Sequence, residues 1–157
     1  ANIASSGVNA GIQVAPYAAP AFSAVLNANQ NVSASTWTKA QINNKQFDTN
    51  NNYDNATNYR FTPTVAGYYQ VNGIVRMTAS LPTEYFVTIY KNGSAYKYGN
   101  QTGLNTGNTV YGASCLIYMN GSTDYLEIYG LQASGGTQTN NGGQSLTWFN
   151  GFLARTA

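Results

Sequence analysis

An all-β sandwich or barrel is the fold class that this chain predicts, and three observations predict it. No segment places apolar residues at helical spacing over the length of a helix. Short alternating or apolar runs recur from end to end, separated by Asn, Gly, Pro and Thr. Aromatic residues make up 13% of the 157 positions, a content that disordered chains, poor in such residues, do not carry.

The runs give candidate strands at 20–26, 32–38, 41–47, 58–62, 67–78, 85–91, 95–99, 109–119, 124–130 and 146–154. The stretch from Phe47 to Gly73, FDTNNNYDNATNYRFTPTVAGYYQVNG, is the most informative. It reads as a strand end, a polar turn, a short strand, a proline turn and a long alternating strand. Asn and Asp at 48–55 bond their own backbone and tolerate left-handed geometry, which marks a loop. Pro63 fixes its φ and lacks a donor, and Gly67 permits a turn geometry that a side chain would block. Tyr69 and Val71 then point one way and Tyr68, Gln70 and Asn72 the other. Asn92-Gly93 and Asn120-Gly121 predict tight hairpins, because both central residues of a type I′ turn need positive φ.

Further along, Cys115, Ile117 and Met119 oppose Leu116 and Tyr118. In the closing run, Phe149 and Leu153 oppose Leu146, Trp148, Asn150 and Phe152. Two apolar faces on one strand predict burial on both sides, whereas the outer face of a lone sandwich is wet and polar. Residues 1–19, rich in Ala, Gly, Ser and Asn, read as a linker or fibre-end segment, and 20–157 as one globular head domain.

The Phe47–Gly73 stretch also resembles the signature of the globular head of complement's first component, q subunit, a branch of the tumour-necrosis-factor jelly rolls. That signature is a Phe, then Tyr-Asp and a Thr, then Phe, then Gly-x-Tyr-x-Phe. Phe47, Tyr53, Asp54, Thr57, Phe61, Gly67 and Tyr69 stand at matching spacings, with Val71 in place of the last Phe. AFSAVL at 21–26 is similar to the family's first strand and VTIYKNGSAY at 87–96 to its central hairpin. LIYMNGSTDYLEIYG at 116–130 and SLTWFNGFLAR at 145–155 follow in the family's order, the latter carrying Phe149 and Gly151 in its Phe-x-Gly-Phe-Leu.

The resemblance implies a ten-stranded antiparallel jelly-roll sandwich that assembles as a homotrimer through its second apolar face. Tyr68, Gln70, Trp148 and Phe152 are then expected at subunit contacts. Jelly-roll connectivity places the connections 27–32, 79–85, 99–109 and 131–145 at a far tip. The short turns 62–66, 92–94 and 120–123 fall at the linker end. Longer loops on a rigid scaffold are where binding residues concentrate.

Composition excludes several functions. Only 8% of residues are charged, against about 25% in ordinary domains, so solubility rests on Asn, Gln, Ser, Thr and Gly. A net charge of +2 leaves no basic footprint for nucleic acid, and no apolar run approaches membrane length. The chain has no His, which removes the usual general base and the Ser-His or Cys-His pair. Asp48, Asp54, Glu84, Asp124 and Glu127 sit in turns and strand ends rather than as an evident catalytic pair. No Asp-rich calcium loop is present, and neither a metal nor a cofactor is expected. Lone Cys115, among apolar neighbours, reads as a buried inert thiol. The Asn-x-Ser/Thr triplets at Asn31, Asn55, Asn92, Asn100 and Asn120 are read as chance products of an Asn-rich chain.

These readings point to a non-enzymatic recognition module. The charge-poor, Asn-, Gly- and Thr-rich style, and an ending similar to phage fibre proteins, imply the receptor-binding tip of a bacteriophage tail fibre or spike at the virion surface. Its expected partners are a bacterial surface glycan or protein, and other virion proteins through the N-terminal segment. The expected ligand contacts are Glu84, Tyr85, Asn100, Gln101, Asn105, Asn108, Gln138, Asn140, Asn141 and Gln144, with Tyr85 or Trp37 stacking on a sugar face. The alternatives are a capsid-decorating or fibre-capping trimer, which would bind no cells, and a bacterial surface adhesin.

Overall fold

The computed structural model describes residues 19–157, excepting the side chains of 79–83 and 102–106. The expected linker therefore lies, apart from Ala19, outside the described residues. Eleven strands, rather than the ten expected, follow in order among the described residues: β1 (Ala21–Val25), β2 (Gln30–Val32), β3 (Thr38–Lys39), β4 (Asn44–Asp48), β5 (Tyr53–Asp54), β6 (Arg60–Phe61), β7 (Gly67–Lys91), β8 (Ser94–Met119), β9 (Leu126–Gln132), β10 (Gln138–Asn140) and β11 (Trp148–Thr156). No helix occurs among the described residues.

β7 and β8 form one long hairpin that passes from one layer of the sandwich to the other. In the first layer, β7 pairs with β8 from Gly67↔Met119 to Ala79↔Gly107. On its other side there it pairs with β11, followed outward by β1 and β4, and with β10 at Met77 and Thr78. In the second layer, β7 pairs with β8 from Tyr85↔Thr102 to Lys91↔Ser94, and with β9 from Tyr85↔Gln132 to Lys91↔Leu126. β6, β5 and β3 extend that layer beyond β9.

The expected loops 79–85 and 99–109 are thus not loops but the middle of this ribbon. Pro and Gly give them a turn-like sequence. The residues serve instead to bend the ladder, whose register shifts between Ala79 and Thr83 and again between Thr83 and Tyr85. Pro82 can donate nothing to such a ladder, which places it where pairing is already broken. The expected strand 32–38 is likewise replaced by two short strands, β2 and β3, and 146–147 lie in a turn before β11.

Register fixes the core. Tyr69, Val71, Val75 and Met77 of β7 point inward with Tyr111, Ile117 and Met119 of β8. Phe22 of β1 stacks on Phe61 at 4.2 Å and on Tyr53 at 5.1 Å, joining the layers, and Phe149 packs edge-on against it. Gly67 lacks a positive φ, contrary to the turn expected of it. A Cβ there would lie 2.4 Å from the Arg155 carbonyl, so close strand approach is what excludes a side chain. Asn92 and Gly93 have φ of 53° and 78°, as a type I′ hairpin needs. At Asn120-Gly121 only the glycine has positive φ. There the Asn120 Oδ1 accepts from the backbone of Ser122, Thr123 and Asp124, making a longer side-chain-capped turn.

Antiparallel pairing sorts the ends. Ala21 lies opposite Phe152, and Gly67 opposite both Met119 and Thr156. The turns at 62–66, 92–93 and 120–125 therefore share one end with the described chain termini. The segments 26–29, 79–85, 102–107 and 133–147 lie at the other end.

Candidate recognition surfaces

The outer side of the first layer carries more apolar area than a wet sheet face should. Tyr68 is 43% exposed, Leu116 56%, Tyr118 43% and Phe152 50%. Register brings them together, because Tyr68 faces Tyr118 and Gln70 faces both Leu116 and Phe152. Tyr68 and Tyr118 rings lie 5.5 Å apart. Beside them, a hollow of 520 Å³ is lined by Tyr68, Leu116 and the Ala154–Ala157 tail.

The next row of this face is polar and closed upon itself. Gln70 Nε2 donates to Ser114 Oγ at 2.9 Å, Ser114 Oγ to Asn72 Oδ1 at 2.8 Å, and Asn72 Nδ2 to Asn150 Oδ1 at 3.2 Å. Gln70 and Trp148 are half-buried, Trp148 opposite Ile74. Phe47, expected as a structural motif residue, is instead 53% exposed on edge strand β4. β4 ends the first layer, so this side chain has no outer neighbour to cover it. Tyr53, Phe61, Tyr69, Phe149, Gly67 and Gly151 are buried. Alternation alone had marked Leu116 and Tyr118 as a second apolar face, and Val110 continues it.

At the tip, the expected ligand contacts divide into two groups. Tyr85, Gln138 and Asn140 are buried. Tyr85 OH donates to Asn140 Oδ1 at 2.8 Å, and its ring lies 4.5 Å from Tyr111. Gln138 Nε2 donates to Ser134 Oγ, and β10 pairs with β2 and β7. These three residues hold the 131–145 connection in place and are not open to a ligand. Gln138 and Asn140 fall in an expected loop because a three-residue strand such as β10 has no periodicity to read, whereas Tyr85 lies beside the bend of β7.

Glu84, Asn100, Gln101, Asn108 and Gln144 are exposed and Asn141 is half-buried. Thr78 Oγ1 donates to Asn141 Oδ1 at 2.8 Å and also reaches Asn108 Oδ1. Asn100 Oδ1 accepts from Gly112 N, tying the two layers at their β8 edge rather than facing a ligand. The side chain of Asn105 is outside the described residues. Trp37 is half-buried, within 6.0–6.4 Å of the rings of Tyr98, Tyr90 and Phe86 on the second layer's outer side.

The carboxylates are engaged structurally. Asp48 accepts from the Asn52 and Tyr53 N–H groups and pairs with Lys45. Buried Glu127 pairs with Lys39. Asp124 pairs with Lys91 at 2.8 Å. Burial alone would raise its pKa, but the bonds from Lys91, Asn92 and Asn120 outweigh that and hold it below the usual carboxylate range. Burial pushes the Cys115 thiol up, away from the reactive thiolate form. Among the described residues no group of three His, Cys, Asp or Glu side chains could hold a metal ion.

Comparison with known proteins finds likeness in fold only. No family model matches the chain, and no curated protein does. Solved structures do match. The globular domain of zebrafish complement 1qA protein is 18% identical, over 88% of this chain and 99% of that one, with a TM-score of 0.60. Eiger TNF from S. frugiperda is 8% identical over 88% and 94%, with a TM-score of 0.64. Murine APRIL is 10% identical over 86% and 98%, with a TM-score of 0.56. The expected all-β jelly roll is the fold of this chain.

Proposed function

We propose that this domain is a non-enzymatic homotrimeric recognition head that displays its tip to a bacterial surface glycan or protein. The observation that carries the reading is the apolar patch of Tyr68, Leu116, Tyr118 and Phe152 on a sheet face that would otherwise meet water. Its burial between copies stabilises assembly at roughly 25 cal/mol per Å² of apolar surface removed from water. In the polar row, Ser114 Oγ donates to Asn72 and Asn72 Nδ2 to Asn150, so those two donors enter such an interface already paired. Placement of the tip opposite the described termini supports display, and three sites on one rigid body gain avidity. The virion setting, as the end of a phage fibre or spike, rests on the style of the sequence.

Mass in solution tests the assembly. Light scattering at micromolar concentration should give three times the 16.8 kDa chain mass. Leu116→Glu with Phe152→Glu should shift it to monomer, while a monomeric wild type would end the trimer reading. Binding of the labelled trimer to bacterial cells, competed by their surface polysaccharide, tests recognition. A stable trimer that binds nothing across a broad panel would instead favour a decorating or capping role.

A further inference from the structure

A hollow of 480 Å³ lies between the β1–β2 turn, at the tip end, and the segment from β3 to β4, apart from the apolar face and from the expected ligand contacts. That volume is within the range of about 300–1,000 Å³ typical of small-molecule sites. Its polar lining is Asn29, Gln30, Asn31, Gln41 and Asn43, with Thr38, and no charged side chain contributes. Ala28 and the edge of Leu26 supply its apolar part.

The hydrogen bonds settle which way the key amides point. Asn43 Oδ1 accepts from Asn27 N at 3.0 Å, and Asn29 Oδ1 accepts from Gly142 N at 3.0 Å. A backbone N–H can pair only with the oxygen of a side-chain amide, so both NH₂ groups are left as donors with fixed orientation. Gln30 spends both ends on the backbone, Nε2 on the Lys39 carbonyl at 2.8 Å and Oε1 on Gln41 N at 3.0 Å, which braces the wall. The Asn31 and Gln41 side chains are exposed and adaptable.

We infer that this hollow binds one unit of a neutral saccharide, a hexose or N-acetylhexosamine. Oriented NH₂ donors with adaptable amides match sugar hydroxyl and acetamide oxygens. The lack of any charged group disfavours phosphate, sulfate or carboxylate ligands, which need cations. The inference rests on the glycan-recognition reading and relocates the contact from the tip to its shoulder.

The test is titration of the isotope-labelled full chain with N-acetylglucosamine, glucose and galactose up to tens of millimolar, read at the Asn and Gln side-chain amide resonances. Binding by a single sugar unit is expected with Kd on the order of 1 mM. The shifts should centre on Asn29 and Asn43. Asn29→Asp with Asn43→Asp keeps both oxygens that accept from the backbone and replaces each NH₂ donor with a charged acceptor oxygen. It should weaken binding at least tenfold while leaving the melting temperature near wild type. Asn31→Ala with Gln41→Ala removes two exposed side chains and should weaken it several-fold, covering the case in which the first pair misfolds. Saccharide shifts confined to Asn108 and Gln144 would overturn the hollow and leave glycan recognition standing. Cell binding without any saccharide response would overturn both and point to a protein receptor.

Discussion

The Asp54 carboxylate accepts from the N–H groups of Ala56, Thr57 and Asn58 at 2.9–3.1 Å and from Asn58 Nδ2 at 2.7 Å. Those bonds, with the Thr57 and Ala56 N–H groups foremost, pull its ionisation down to about 2 from the ordinary 3.8. The folded chain therefore holds the charged form more tightly than the unfolded chain does. Its stabilisation is present above about pH 4 and is lost as pH falls toward 2. Asp54→Asn should lower the melting temperature at pH 7, and the gap from wild type should close between pH 4 and 2. Tyr85 presents the same logic in the core. Tyr85→Phe leaves Asn140 Oδ1 without its phenol donor and should cost about 1–3 kcal/mol in chemical denaturation. The first role was legible, because Asp before a short polar stretch is a turn signal. The second was not, since nothing local distinguishes a Tyr that meets solvent from one that meets Asn140, 55 positions away.

Among the elements, the hairpin at Asn92-Gly93 was fully legible, because its φ requirement is written in two adjacent residues. The β7–β8 ribbon was legible only in part. Its two paired halves alternate clearly, but its middle carries the Gly and Pro of a loop, and only long-range pairing shows it to be a bent ladder. Gly67 is a third case, recognised as necessary but for a turn it does not make. Gly67→Ala would drive a methyl into the Arg155 carbonyl and Leu153 Cδ1 and should cost about 1–3 kcal/mol. Gly135→Ala, with nothing within 4 Å of the added carbon, should be near neutral when both variants are unfolded by chemical denaturant. The saccharide hollow was invisible at this scale too. Its walls come from four separate strands and turns, and the orientation of its amides is set by Asn27 and Gly142 across the fold.

For the whole molecule, the jelly roll was readable because the resemblance ran in order along most of the domain, and the paired apolar faces of β8 and β11 were its most useful physical signal. One consequence of the layout concerns force. β1 and β11 are antiparallel neighbours, and the linker-side ends of their paired stretch, Ala21 and Phe152, lie side by side. Tension applied between these two ends peels their hydrogen bonds apart one at a time. Tension between Ala21 and the tip at Asn108 instead runs along β1, where bonds to β11 and β4 resist together. Single-molecule pulling should find the second direction several-fold stronger than the first. A head held at one end and caught by its tip is therefore loaded along its strong axis, and a tug between its two ends opens it.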